Sequence, residues 1–98
     1  MTKQLYRQGD VMFLRVDTLP PEATPLNTDI VAYGEATGHH HRIQGAQLLQ
    51  LQNNKYAQVA ERAVVVHEEH KPIELPAGMY RIIQPVEYNP VEMRRLAD

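Results

Sequence analysis

The sequence predicts an all-β fold, a small antiparallel β-barrel or sandwich with a short C-terminal helix, and three observations carry that prediction. Apolar runs of strand length recur along the chain, turn residues separate them, and β-branched residues crowd into them, most plainly at Val64-Val65-Val66. No repeat, low-complexity tract or shift in composition divides the 98 residues, so residues 1–98 are expected to form one β domain of about six to eight strands.

In chain order, Gly9-Asp10 reads as a turn feeding a strand over Val11-Met12-Phe13-Leu14-Arg15-Val16. Both faces of that run are apolar, which predicts a strand well inside the sheet. Residues 17–29 hold Pro20, Pro21, Pro25 and Asn27 with little periodicity, and read as a long loop. Ile30-Val31-Ala32-Tyr33 starts the next strand, with Gly34 and Gly38 as bends. Past the histidines, Arg42-Ile43 stays extended until Gln44-Gly45 is expected to turn the chain. The runs 46–52 and 55–60 read as a hairpin about Asn53-Asn54, since asparagine tolerates positive φ. A helix is the rival reading for residues 46–66, which lack glycine and proline, but the Asn-Asn break and the valine run favour strands. Residues 72–78 alternate and end in a Pro76-Ala77-Gly78 turn, and Met79 to Gln84 is the last clear strand, resuming over Val86 to Tyr88. Asn89-Pro90 with Glu92 is a helix start, which puts about two helical turns over Val91 to Ala97.

Composition removes whole classes of chemistry. There is no cysteine and no serine, so disulfides, thiolate or serine nucleophiles and Cys-based zinc sites are excluded. Ten basic and twelve acidic residues leave a net charge of −2, which gives no general attraction to nucleic acid or acidic membranes. No apolar run approaches the ~20 residues of a membrane span, and the first ten residues lack the apolar core of a signal peptide. A cytoplasmic location without a membrane partner is the expectation.

All five histidines fall in two short stretches, His39-His40-His41 and His67-Glu68-Glu69-His70. On a strand, Glu35, Thr37, His39 and His41 would share one face, with His40 opposite. A His-x-His pair with a carboxylate four residues earlier is half of a metal site, and His67 and His70 could complete it from an adjoining loop. The predicted metal ligands are therefore Glu35, His39, His41, His67 and His70, and the cofactor a divalent metal: zinc, manganese, nickel or iron. Three protein ligands with an open position suit hydrolysis or oxygen chemistry. The metal-free alternative makes His39 and His41 acid and base, with Arg42 or Lys71 stabilising charge on a phosphate-containing or other small-molecule ligand. A purely structural role for the histidines is the third reading. Glu87 and Tyr88 are weaker candidates for a pocket rim.

Two resemblances bear on these residues. His39 and His41, followed by Pro76 and Gly78, resemble the two motifs of the cupins, β-barrels that usually hold a metal with histidines and a glutamate. The glutamate expected after His41 is absent, and Arg81 stands near where the last histidine is wanted. Over nearly its full length the chain is similar to small uncharacterised bacterial and phage proteins, through Gly9-Asp10-Val11, the Thr-Gly-His-x-His-Arg segment Thr37 to Arg42, Leu75 to Tyr80, and Glu87-Tyr88. That resemblance implies a site location and no activity. Three functions remain open. The first is a metal-binding protein, extending to a metal-dependent hydrolase or cupin-like enzyme. The second is a non-enzymatic phage or bacterial module acting as a homo-oligomer, with exposed strand edges and the proline-containing loop reaching a neighbour. The third is a metal-free histidine nuclease or lyase.

Overall fold

Alternation begins earlier than the first obvious apolar run. In the computed structural model, which describes residues 4–33 and 39–84, Leu5–Gln8 (β1) pairs antiparallel with Val11–Val16 (β2). The hairpin turns on Gly9-Asp10, where Gly9 takes φ +59°, a conformation glycine adopts without a Cβ penalty. Thr24–Pro25 (β3) and Ile30–Tyr33 (β4) are short, whereas His40–Leu51 (β5), Asn54–Val66 (β6) and Ile73–Ile83 (β7) are long. All pairings are antiparallel, in the order β1-β2-β7-β6-β5-β3, with β4 also on β5. The all-β prediction holds. The barrel does not: β1 and β3 end the order without pairing to each other, so the sheet is open.

One face of this sheet supplies the core. Val11 and Phe13 of β2, Ile43 and Leu48 of β5, Val65 of β6 and Leu75 of β7 are buried, each contributing about 1.5–3 kcal/mol relative to exposure. Tyr80 is buried in the same layer, and its hydroxyl donates to the Pro76 carbonyl at 2.6 Å. Burial, followed by the neighbouring Tyr6, pushes its phenol pKa up. The Tyr6 ring meets Tyr80 edge to face at 6.0 Å.

Two segments expected to be turns are bends inside strands. Gln44-Gly45 lies in β5, where the register shifts between Gln44 and Ala46, and Pro76 to Gly78 lies in β7, opposite a shift between Val59 and Arg62 of β6. The two irregularities face each other across β6. At Gly45, φ is +91° and a Cβ would stand 2.5 Å from the Arg62 carbonyl oxygen, so the strand bends where only glycine fits. Pro76 is tolerated because β2 pairs only with Met79 to Ile83, leaving its side of β7 without a ladder partner there.

Smaller corrections follow. The hairpin turn between β5 and β6 is Gln52-Asn53, with Gln52 at φ +56°, one residue before the expected Asn53-Asn54. The loop 17–29 carries β3 and follows the edge of β5: Leu26 N–H donates to the Leu48 carbonyl, and Ile43 N–H to the Asp29 carbonyl. Its middle thus covers an edge of this chain. The helix expected after Asn89-Pro90, the strand 86–88, and Gly34, Glu35, Thr37 and Gly38 lie outside the described residues.

Candidate functional site

β5 carries His41 inward. The ring is 1% exposed, at the end of the core layer that continues through Ile43. What holds it is Gln8, the last residue of β1 and itself only 2% exposed. The Gln8 amide nitrogen donates to the carbonyls of Val65 and Lys71, both at 2.9 Å. Those two bonds fix the orientation of the carboxamide, so its oxygen, 2.9 Å from His41 Nδ1, can only accept. His41 Nδ1 therefore carries a proton, and in the neutral ring the lone pair sits on Nε2. Burial lowers the His41 pKa, His67 and then His70 lower it further, and Asp10 opposes them. Neutral, with Nε2 unprotonated, is the form a metal or a substrate proton requires.

Asp10 stands beside that nitrogen, His67 and His70 lie against the ring, and His39 adjoins His67. Asp10 Oδ1 lies 3.6 Å from His41 Nε2. The His67 ring centre is 4.4 Å from that of His41, His70 is 5.9 Å from His41 and 4.6 Å from His67, and His39 stands edge-on to His67 at 5.6 Å. The two histidine stretches meet. Their meeting depends on Gln8, whose two carbonyl partners, Val65 and Lys71, lie on either side of the 66–70 connection. It depends also on Gly9, since a Cβ there would stand 2.6 Å from His70 Nε2.

The His67 ring is committed differently. Its Nδ1 accepts from the backbone N–H of Glu69 at 3.0 Å, with His70 N–H at 3.4 Å. A neutral ring accepting at Nδ1 carries its proton on Nε2. As the side chains stand, no group of three or more His, Asp or Glu that could hold a metal ion occurs among the described residues. The clustered rings and the unconverged donors are compatible, because the His67 lone pair is directed into its own turn.

The other face of β5 is a separate environment. The backbone N–H of His40 donates to both Glu68 carboxylate oxygens, at 3.1 and 2.9 Å, and His40 Nδ1 is 3.7 Å from Glu68 Oε1. That backbone bond is the leading cause of the lowered Glu68 pKa. Glu69 reaches His39 Nδ1 at 3.5 Å. Arg42, expected to act beside His41, is exposed and directed away from it by strand alternation; it lines a pocket with His40, Val66, His67 and Glu68. Lys71 enters the site through its carbonyl, which accepts from Gln8.

Gln8 and Asp10 are the residues the sequence reading missed. The signal was present: with Gly9-Asp10 as a two-residue turn, Gln8 falls opposite Val11 and Tyr6 opposite Phe13. A glutamine on that core face needs buried partners, and histidine was the polar residue to look for.

The model of the family described as a domain of unknown function (DUF8820) matches residues 7–85, and the chain belongs to that family. No curated protein and no solved structure matches it. The matched span runs from β1 through the end of β7 and takes in Gln8, Asp10 and both histidine stretches.

Proposed function

Family membership brings a matched frame without an activity, and from the site geometry we propose that the protein binds a divalent metal through His41, His67 and His70, with Asp10 and His39 as the adjoining donors. One observation carries this reading: the ring centres of His41, His67 and His70 are 4.4, 4.6 and 5.9 Å apart. Rings that share a tetrahedral metal through nitrogens ~2.0–2.1 Å from it stand about 5 Å apart centre to centre. The Gln8 contact supports it further, since metal-binding histidines usually donate their second ring N–H to an oxygen that fixes the ring. Imidazoles with a carboxylate suit zinc, nickel, iron or manganese. Three ring ligands would leave a position for water, whose pKa such a metal lowers toward neutrality, and this is the basis for reading the protein as a metal-dependent hydrolase. Glu35 remains a proposed ligand from the sequence alone.

Titration calorimetry of untagged protein with zinc, manganese and nickel is the test. Saturable one-to-one binding is expected, lost in the His41→Ala, His70→Ala double variant. Heats and thermal stability indifferent to all three metals would end the reading.

A second reading rests on the opposite protonation of two neighbouring rings. His41 Nε2 is an acceptor and His67 Nε2 a donor, as in a base and acid pair for phosphodiester cleavage. Cleavage that persists in chelator and disappears in His41→Ala would select it over the metal.

A further inference from the structure

We infer that metal capture opens the 67–70 turn while leaving the Gln8–His41 contact closed, so that the site has one preset ligand and one latched ligand. This deepens the metal-binding reading and rests on it. A neutral imidazole has one in-plane lone pair, and His67 now directs it from Nδ1 to the Glu69 N–H at 3.0 Å. A metal can reach His67 in two ways. Through Nδ1, the metal takes the lone pair that the Glu69 N–H holds. Through Nε2, the proton there must leave and one must arrive on Nδ1, which turns that atom from acceptor to donor. The ring's proton count is unchanged on either route, and on either route the Glu69 N–H loses its partner.

His41 needs no such exchange. Its Nδ1 proton already faces the Gln8 oxygen at 2.9 Å, and that oxygen cannot be replaced by the amide nitrogen without breaking the bonds to Val65 and Lys71. The contrast accounts for four gathered rings with no three-donor set among the described residues. It also sets the order of events. The metal first meets the buried lone pair of His41 beside Asp10, and His67 joins by giving up its turn. Glu69 and His70 are exposed, so the freed N–H groups pass to water and the opening is reversible.

Nuclear magnetic resonance of the full chain during a zinc titration reads each bond separately. At saturation the Glu69 amide is expected to move upfield and exchange about tenfold faster or more. The His67 ring nitrogens should change from the one-acceptor pattern to a metal-bound one, and the slowly exchanging His41 Nδ1 proton should persist. Zinc saturation with the Glu69 amide and His67 nitrogens unmoved would overturn the latch and leave the metal reading standing. Absence of any zinc saturation would remove both.

Discussion

His41 and His67 are neighbours at 4.4 Å, yet they are held by opposite means. His41 is fixed from a distance in sequence: Gln8 is 33 residues away, buried, and tied to two further backbone carbonyls. His67 is fixed from next door, by the N–H of Glu69 two residues on, in an exposed turn. A long-range buried bond can move only if strands part. A local exposed one can be exchanged at little cost. The pairing of one kind with the other gives a cluster in which one ring is fixed and its neighbour is free to adjust.

The contrast can be broken from the His41 side first. Gln8→Leu removes the partner of the buried Val65 carbonyl, the half-buried Lys71 carbonyl and the His41 Nδ1 proton, and is expected to destabilise the fold by about 3 kcal/mol in urea unfolding. A smaller change marks the seam between the two halves. Gly9→Ala adds a methyl at φ +59° where His70 already lies 2.6 Å away; it should cost about 1–2 kcal/mol and expel His70, weakening zinc binding with it.

Proton concentration probes the buried side without mutation. The His41 pKa is lowered on folding, so the unfolded chain takes up the proton first as pH falls below 6.5. Stability should therefore be level above that pH and decline as pH drops toward the lowered folded value. In His41→Gln that part of the decline should vanish, and an unchanged profile would mean that His41 is not the group responsible. The least effect on the fold is expected from the latched side. His67→Ala should alter unfolding free energy by about 0.5 kcal/mol or less while reducing zinc affinity more than about tenfold. Comparable stability losses for Gln8→Leu and His67→Ala would erase the distinction.

The same division explains what could be read before the fold was known. The all-β class and most strand positions follow from alternation, turn residues and clustering, whereas the meeting of the two histidine stretches is visible only in the fold. The signal for Gln8 lies in the pairing about the Gly9-Asp10 turn, not in an apolar run of its own, and so it shows only when β1 is laid against β2. Arg42 lies on the face away from His41 because adjacency in sequence means opposition across a strand. Gln44-Gly45 and Pro76 to Gly78 look like turns in the sequence because glycine and proline announce irregular backbone, and only pairing across β6 distinguishes a bend from a reversal.

Those facing bends also act as a phase change. On β5 the inward residues are odd-numbered at His41 and Ile43 and even at Leu48, and on β7 Leu75 gives way to Tyr80, while β6 keeps odd numbering from Ala57 to Val65. The sheet therefore consists of two panels with independent counting, joined at Gly45. Residues can be added or removed around the Gln52-Asn53 tip, and the histidine panel keeps its own inside and outside. Losing the single residue Gly45 would instead put both panels on one count, with His41, Ile43 and Leu48 still inward, and would remove the bend beside Arg62 that the independent counting depends on.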